Sequence, residues 1–531
     1  MVATLIRRRP ASIGVLAAVA AVLVVAVGPT GSGPAGGGAR AADRAAVSIF
    51  LGPPSTLDPA LQSDIGSAAY SAQLYESLTA FDSSLTLRPA LAESWDVSDD
   101  GRQIVFHLRT GLEFSDGTPL GAEDVVGSWL RVIDPRRPSQ LSSLFLDVRG
   151  AVEYLTGATS DPSDVGIRAD GRDVVVDLRR PGADFPAIVA GPTFGIVPPA
   201  VWRDGGDIDA GSSVTSGAYV IGNVTSTEYT LVANERYWAG PPPIATVRLL
   251  TDIGGRSAVA AFESGDVDYI GIGSYDAAWI RYDAALGPQL RLVPSLSLSY
   301  VGFTTTPPPF DDIRVRQAIG AAVDWTRLVQ LGSAGDQIPA DSMVPPGIQG
   351  GGARSWLPPY NPDRARALLA AAGYPGGSGF PEVAFATGGL PFAEAIATDL
   401  RRELGVTIRL EELEAHFDRL QQDPPPMWAL GWVADYPGPN DFLGVLLGTG
   451  SSNNYGRWSS PTFDTAIADA LATRDPDEAL AAYERALGAV RDEVPTIPIA
   501  YGDGWALSRD GLLGAGQNGL GIPRLAGLAW K

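Results

Sequence analysis

The sequence predicts a mixed fold of strands and helices, α/β or α+β, that is divided into several lobes. First, the chain has 531 residues, which is enough for two to four domains at roughly 150 residues per domain. Second, strand-like and helix-like patterns interleave along the whole chain without an internal repeat. Third, 45% of the residues are hydrophobic and 19% are charged, which excludes an intrinsically disordered chain.

Residues 1–42 have the order of features that is typical of a targeting segment. Arg7, Arg8 and Arg9 precede an apolar run at 11–27, and small residues follow it. This order indicates a signal peptide, but a run of 17 residues is also at the lower limit for a membrane-spanning helix. We therefore expect either a signal peptide or an uncleaved N-terminal anchor, and the sequence has no cysteine that could serve as a lipobox. The protein is predicted to be exported and extracytoplasmic, either periplasmic or at the cell surface.

Two β-hairpins follow from turn residues between strand-like runs. The strand-like run 103–108 comes directly after the turn 99–101, which ends in glycine. The runs 165–168 and 174–178 flank the dipeptide at 170–171, which is Asp-Gly. Glycine supplies the positive φ that tight hairpin turns need, so both segments are predicted to be hairpins.

Four helices are marked by their end signals and by apolar periodicity. Asn361 and Pro362 suit the N-cap and the first helical position, and Gly373 suits the C-terminal end. The other three helices carry apolar residues three or four positions apart: Ile396, Leu400 and Leu404 before Gly405; Phe463, Ile467 and Leu471 after Ser460-Pro461; and Leu480, Tyr483, Leu487 and Val490.

Composition excludes several classes of function. The formal net charge of −21 argues against a nucleic acid or an anionic membrane as partner. The chain has no cysteine and only two histidines, His107 and His416, so no metal site and no cofactor are predicted. It contains neither a P-loop nor a G-x-S-x-G pattern, and we predict that it is not an enzyme. His107 lies in an alternating strand and is predicted to be structural, whereas His416 is a candidate ligand contact.

A series of short blocks along the chain resembles one protein family. One of them contains Phe-Ser-Asp-Gly-Thr-Pro at 114–119, and another contains Phe-Glu-Ser-Gly-Asp at 262–266. The blocks occur in order at 57–59, 75–78, 90–95, 106–119, 122–125, 215–219, 234–238, 262–268 and 309–319. In sequence and spacing they resemble the family 5 extracellular solute-binding proteins of ABC transporters, the group that binds oligopeptides, dipeptides and nickel. The oligopeptide-binding members are the most similar.

The resemblance implies a periplasmic-binding-protein-like type II clamp of cluster C, with two ligand-clasping lobes and an extra lobe. Lobe I would be discontinuous and consist of residues 43–75, 193–295 and 498–531. The extra lobe would be 76–192, and lobe II would be 296–497 and would carry the ligand-contacting segment. Chain crossings near 295 and 498 would form a hinge, which needs only a few residues to absorb the backbone change.

The resemblance also implies the function. The protein would be the extracytoplasmic solute-binding component of an ABC importer, a monomer that captures peptides by lobe closure. It would deliver them to a permease and ATPase complex in the membrane. The alternative is that the same fold binds a non-peptide solute such as an opine-like compound, a sugar or a metal chelate.

Most of the predicted ligand contacts lie in one segment. In the resembling proteins the stretch that matches Gly431, Trp432 and Val433 runs beside the peptide and pairs with its main chain. The residue that matches Asp435 receives the ligand's α-amino group, because a desolvated ammonium needs a fixed carboxylate. Two alternatives remain open: Asp435 could cap a turn before Pro437, and Trp432 could be a core aromatic.

Three further residues complete the predicted site. The loop that matches a ligand-lining loop of the family contains Ser63 and Ile65. Tyr501 matches an aromatic residue on the hinge side, and His416 is the remaining candidate.

The sequence departs from the family at the cationic positions. Gly389, Ala429 and Gln422 align with basic residues that meet ligand carboxylates, and none of the three is cationic. Arg419 could substitute from a shifted register. How a ligand's carboxylate would be bound is therefore open.

Overall fold

The computed structural model describes residues 46–209, 214–332, 337–473, 475–515 and 519–531. The predicted signal peptide or anchor, residues 1–42, lies outside the described residues. Among the residues that the structure describes, no helix has the length and apolar composition that a membrane crossing requires.

The first sheet has seven strands and gathers distant parts of the chain. Its central strand, Ala46–Phe50, pairs in parallel with Thr246–Leu250 and with Tyr269–Ile272, and the outer pairs are antiparallel. In spatial order the strands are Leu290–Val293, Gly504–Ser508, Tyr269–Ile272, Ala46–Phe50, Thr246–Leu250, Glu228–Ala233 and Tyr219–Val224.

The second sheet has six strands. Ser297–Phe303 lies near its centre and pairs antiparallel with Thr496–Gly502 on one side and Met427–Val433 on the other. In spatial order the strands are Gln337–Pro339, Thr496–Gly502, Ser297–Phe303, Met427–Val433, Val383–Ala386 and Ile408–Glu411.

A third, four-stranded antiparallel sheet contains the two predicted hairpins, which are both confirmed. Its strands are, in order, Ala92–Val97, Gln103–Leu108, Asp173–Asp177 and Ile167–Asp170. Gly101 and Gly171 have φ angles of 67° and 61°, as the turn prediction requires. Two two-stranded ribbons complete the strands: Thr79–Phe81 with Leu87–Pro89, and Leu512–Leu513 with Ala529–Trp530.

The longest helices lie in the second half of the chain. They are Ile65–Leu74, Ala122–Leu130, Ala151–Leu155, Phe185–Ile188, Pro199–Trp202, Ala258–Glu263, Ser274–Ile280, Ile313–Ala322, Trp325–Gly332, Pro362–Ala371, Ala393–Leu404, His416–Gln422, Pro439–Phe442, Gly444–Leu447, Pro461–Ala472 and Pro476–Glu493.

All four predicted helices are confirmed. The Asn361 side chain accepts a hydrogen bond from the Arg364 N–H at 2.9 Å. Ser460 likewise caps Pro461–Ala472, and Gly405 ends Ala393–Leu404 in the left-handed region. Local capping chemistry therefore sets these boundaries.

Two short connections join the first and second sheets. The chain leaves the first sheet at Val293 and enters the second at Ser297, and it returns between Gly502 and Gly504. The connections lie side by side, because the Ser297 hydroxyl donates to the Gly502 carbonyl at 3.2 Å. The predicted chain crossings near 295 and 498 lie at or close to these two connections. The lobe boundaries stay predictions.

The third sheet belongs to an aromatic core. Trp129 is fully buried, and its ring meets those of Phe106, Phe145, Phe185 and Phe194 edge-on or nearly so, at centroid distances of 5.9–6.1 Å. The same cluster continues into the helices 439–490 that come after strand Met427–Val433. Burial of these large rings, with favourable edge contacts, joins the two parts of the chain.

Candidate functional site

A cavity of about 300 Å³ brings together six of the eight predicted site residues. It lies between the start of helix Ile65–Leu74 and the end of strand Met427–Val433. Its lining residues are Gln62, Ser63, Asp64, Ile65, Ala68, Leu141, Pro192, Phe417, Gly431, Trp432, Val433, Ala434, Asp435, Leu520 and Ile522. No arginine, lysine or histidine is among them, so the charged lining residues are both carboxylates, Asp64 and Asp435.

Asp64 is held by its role as a helix cap. Its carboxylate accepts hydrogen bonds from the Ser67 N–H at 2.8 Å, the Ser55 hydroxyl at 2.7 Å and the Ser67 hydroxyl at 2.8 Å. Burial alone would raise the pKa of Asp64, but these donors outweigh burial and lower it below the ordinary value. Asp64 is therefore ionised and already fully engaged. Ser63 precedes it, and Ile65, which is 45% exposed, follows it at the cavity.

The strand that lines the cavity has one edge without a strand partner. Residues 431–433 pair with Ser297, Leu298 and Ser299 on one side. On the other side, Val383–Ala386 reaches only Met427 and Trp428. Within the described part of the chain, no strand pairs with residues 431–433 on that second side, and a Cβ built on Gly431 meets no atom within 4 Å.

Asp435 and Asp441 form a buried carboxyl pair. The Asp441 Oδ2 atom accepts the Asp435 backbone N–H at 3.2 Å and the Trp432 Nε1–H at 3.0 Å. The Oδ2 atom of Asp435 and the Oδ1 atom of Asp441 are both buried and have no hydrogen-bond partner among the described residues. Asp435 as a residue is half-buried, but this oxygen is enclosed.

Burial governs the ionisation of both carboxyl groups. It raises the pKa of Asp435 to about 7. It raises the pKa of Asp441 well above the ordinary value, and the neighbouring charge of Asp435 adds to this effect. The two N–H donors to Asp441 offset only part of this shift.

The segment after Asp435 contacts the region of the third sheet. The Tyr436 hydroxyl donates to Asp184 Oδ2 at 2.8 Å, and Asn440 Nδ2 donates to the Tyr436 hydroxyl at 3.0 Å. Farther along, Asn453 Nδ2 donates to the Ser143 hydroxyl at 3.2 Å. Burial raises the pKa of Asp184, which has neutral donors around it.

Two alternatives were open for this segment: that Asp435 caps a turn before Pro437, and that Trp432 is a core aromatic. The Asp435 carboxylate makes no hydrogen bond with the turn before Pro437; the Asp441 carboxylate is the one that accepts a backbone N–H there. Trp432 is half-buried, packs against the large core cluster and also lines the cavity. Its ring is therefore fixed on one side and open to the cavity on the other.

Tyr501 and His416 do not line this cavity. The Tyr501 hydroxyl donates to the Ser342 carbonyl at 2.8 Å and accepts the Ser342 N–H at 3.0 Å, so its polar group is engaged. His416 Nε2 donates to the Ala429 carbonyl at 3.0 Å. Phe417, the residue after His416, is half-exposed and lines the cavity instead.

Sequence reasoning missed Phe417 and Asp441. Phe417 lies next to His416, which the sequence analysis names as a candidate ligand contact. Asp441 carried no signal, because only the turn after Asp435 brings the two together. Arg419, considered as a replacement cation, pairs with Asp423 at 2.8 Å and does not line the cavity.

A second cavity, of about 650 Å³, lies beyond the segment 436–444. Arg180 and Asp147 line it and form an ion pair at 2.8 Å. Asn440 lines it as well, and the buried Oδ1 atom of Asn440 has no hydrogen-bond partner among the described residues. None of the predicted site residues lines this cavity.

Comparison with known proteins gives consistent matches. Residues 86–454 match the description "Bacterial extracellular solute-binding proteins, family 5 Middle". The chain is 30% identical over 465 residues to the "Probable deoxycholate-binding periplasmic protein YgiS" of Escherichia coli K12, covering 84% of this chain and 86% of that protein. It is 28% identical over 463 residues to the periplasmic oligopeptide-binding protein OppA of the same strain, covering 84% and 85%.

A solved structure matches over nearly the whole chain. It is the murein tripeptide-binding protein MppA of Escherichia coli, with a TM-score of 0.78 and 25% sequence identity. The match covers 91% of this chain and 98% of that protein.

Proposed function

The chain belongs to the bacterial extracellular solute-binding proteins of family 5, and from this membership we propose that it captures peptides outside the cytoplasm for an ABC importer. The match over 86–454 confirms the predicted family, and the match to MppA confirms the predicted type II periplasmic-binding-protein-like fold class. The family is one of solute-binding proteins. We propose that this chain, too, binds its solute without chemical conversion.

One observation carries the proposal: an unpartnered strand edge lies directly beside an enclosed carboxyl group. Residues 431–433 offer main-chain groups to an extended ligand, which suits recognition of many peptide sequences. The Asp435 carboxyl lies two residues beyond the edge and has a buried oxygen without a partner among the described residues. An α-ammonium would supply both the charge and the hydrogen bond that this oxygen lacks.

Lobe closure would complete the site. The two adjacent connections at Val293–Ser297 and Gly502–Gly504 would act as the hinge between lobe I and lobe II. Closure would tighten the cavity that Ser63 and Ile65 share with the strand segment 431–433 around the peptide. The closed protein, a monomer exported from the cytoplasm, would then dock on a membrane permease and its ATPase.

A non-peptide solute is the second candidate, and the name of the deoxycholate-binding relative favours it. The charge of the cavity argues for the peptide. Both charged lining residues are carboxylates, which disfavour an anionic solute and favour a cationic one.

The decisive experiment compares a free and an N-acetylated tripeptide by isothermal titration calorimetry. Loss of a charge-assisted hydrogen bond costs about 1.5–3 kcal/mol, and an unpaired buried charge raises this to roughly 3–5. The variant Asp435→Asn should therefore bind the free peptide about 10-fold to more than 1,000-fold more weakly. The acetylated peptide should bind wild type poorly, and the variant should lose little further affinity for it.

Asp64→Asn is the matched control, because asparagine also caps a helix and the substitution removes the other cavity carboxylate. It should change affinity far less than Asp435→Asn. Equal loss for both peptides in Asp435→Asn, or tight binding of the acetylated peptide by wild type, contradicts recognition of an α-ammonium. Native mass spectrometry of the purified protein would then identify the class of a retained solute.

A further inference from the structure

We propose, on the premise of the proposed function, that Asp435 and Asp441 together form a proton-holding ammonium site, in which the entering ligand ammonium takes the place of a proton. Asp435 alone was expected from the sequence. Asp441 adds a second carboxylate, and with it a coupling between peptide capture and proton release.

Each carboxyl group of the pair has one enclosed oxygen that lacks a hydrogen-bond donor among the described residues. Asp441 Oδ2 is engaged by the donors of Trp432 and of the Asp435 backbone. This leaves Asp441 Oδ1 and Asp435 Oδ2, both buried and both without a hydrogen-bond partner among the described residues. Asp441 is 0% exposed, so water does not solvate its charge.

Two negative charges in this position would be too costly without compensation. Burial of one unpaired carboxylate already favours its neutral form, and a second charge nearby strengthens that preference. The pair therefore retains at least one proton near neutral pH, and its titration belongs to both residues together.

The surrounding charged and titratable groups do not supply a cation. Asp184 faces Asp441 from the start of helix Phe185–Ile188 and adds negative charge, and the Tyr436 hydroxyl is directed at Asp184. Arg180 acts on Asp184 but is paired with Asp147, and Tyr483 faces Asp184 from the last long helix. Across the cavity, Asp64 is ionised and engaged by its own donors.

The exchange balances as follows. A carboxyl O–H bond of the pair breaks, and its proton passes to water. The resulting carboxylate accepts an N–H of the ligand's primary ammonium, and the net charge of the occupied site equals that of the protonated pair. The site therefore selects ligands with a free primary ammonium, and their affinity should fall as pH decreases below neutral.

The first test needs no ligand. The apparent folding equilibrium constant of wild type and of Asp441→Asn is measured by urea denaturation between about pH 4 and pH 8, and the asparagine oxygen can still accept the two N–H donors. The carboxyl group of an unfolded Asp has a pKa near 3.9. If the folded wild type keeps its proton above that pH, the folding equilibrium constant of wild type falls relative to that of the variant by about tenfold per pH unit, over the range in which folded wild type stays protonated. A ratio that does not change with pH overturns the proton-holding pair. Asp435→Asn, measured in the same way, provides the same readout if Asp441→Asn does not fold.

The second test counts protons during binding. Calorimetry with trialanine in phosphate and in Tris, at a pH just below neutral, should give different heats that correspond to release of up to one proton per peptide. Asp435→Asn should abolish most of this difference. Binding of trialanine with identical heats after correction for the buffers, and with an affinity independent of pH, overturns this inference but leaves the proposed function intact. Absence of binding by any free-amine peptide at any pH overturns the proposed function and the ligand exchange with it, while the denaturation experiment still decides whether the pair holds a proton.

Discussion

Two buried regions of this protein treat their carboxylates in opposite ways. At the junction between the 3-10 turn Pro59–Leu61 and helix Ala122–Leu130, Asp58 is bound by Arg131 through Nη1 at 3.0 Å and Nη2 at 2.5 Å, and it also accepts the Ala60 N–H at 3.1 Å. Asp435, which lines the cavity, and its neighbour Asp441 each have an enclosed oxygen without such a partner among the described residues. The first arrangement satisfies a buried charge within the fold, whereas the second has buried oxygens that no described residue satisfies. A buried acid that lacks a partner is therefore the better indicator of a binding site than a buried acid as such.

The largest expected effect breaks the satisfied pair. Arg131→Ala should leave Asp58 buried and unpaired, because the Asp58 side chain is 8% exposed. Removal of one partner of a buried ion pair costs about 3–5 kcal/mol. Chemical denaturation of the variant and of wild type in the same buffer at neutral pH should show this loss in the free energy of unfolding. If the loss is below about 1 kcal/mol, which is the value of a surface pair, the contrast between the two regions is contradicted.

An intermediate effect is expected at Asp184, whose side-chain hydrogen-bond donors among the described residues, Tyr436 and Asn440, are neutral. Tyr436→Phe removes the hydroxyl that donates to Asp184 at 2.8 Å and that receives Asn440 Nδ2. Leaving a buried acceptor with fewer donors costs about 1–3 kcal/mol, and the free energy of unfolding should fall by that amount. Tyr501→Phe is a suitable comparison, because its hydroxyl is also buried but lies away from the cavity. Only Tyr436→Phe should also weaken peptide binding.

At Asp435, in the pair with unsatisfied oxygens, a substitution should stabilise the protein instead of destabilising it. Burial raises the pKa of Asp435 from 3.8 to about 7, so the folded protein keeps a proton that the unfolded chain releases, and wild-type stability falls as pH rises through this interval. Asp435→Asn removes that loss, so its stability should gain on wild type by about 1.4 kcal/mol for each pH unit from pH 3.8 up to neutral and by nothing at pH 3.8 and below. Thermal denaturation at both pH values measures the difference. A variant that is less stable than wild type at neutral pH would show that the carboxylate is satisfied within the fold.

The smallest effect concerns a partly exposed cluster of one histidine and two aspartates in the third sheet. His107 meets Asp96 at 3.0 Å and Asp173 at 2.9 Å, and these two acids, Asp96 first, raise its pKa above 6.5. The stabilisation is therefore fully present below pH 6.5 and is lost as pH rises through the raised pKa. Because the site is open to solvent, His107→Gln should cost less than about 1 kcal/mol in acid and nothing in alkaline solution. A cost that persists unchanged at alkaline pH would contradict an electrostatic origin.

The elements that local chemistry determines could be predicted from the sequence. The hairpin at Gly171 and the helix that begins after Asn361 depend on φ preferences and capping groups within a few residues. Sheet order could not be predicted in this way. Nothing near Gly504–Ser508 indicates that this strand lies between Tyr269–Ile272 and Leu290–Val293, because that placement depends on contacts between distant parts of the chain.

The same division applies to the candidate site. The family resemblance identified Asp435, Trp432 and the loop at Ser63, and the structure brings these around one cavity. It could not identify Asp441, because the non-periodic turn after Asp435 sets that contact. Nor could it show that the Tyr501 hydroxyl is engaged by Ser342, a residue far away in the sequence.

The position of strand Gly504–Ser508 also has a consequence for how the protein is made. The first sheet cannot be completed until this strand has left the ribosome. Its neighbour Tyr269–Ile272 is synthesised long before. At about 5–20 residues per second, the stretch between Ile272 and Gly504 takes on the order of ten seconds or more to translate. During that time the edge of Tyr269–Ile272 has no partner and is open to intermolecular pairing. Elongation rate, and the chaperones present in that interval, should therefore influence the yield of soluble protein.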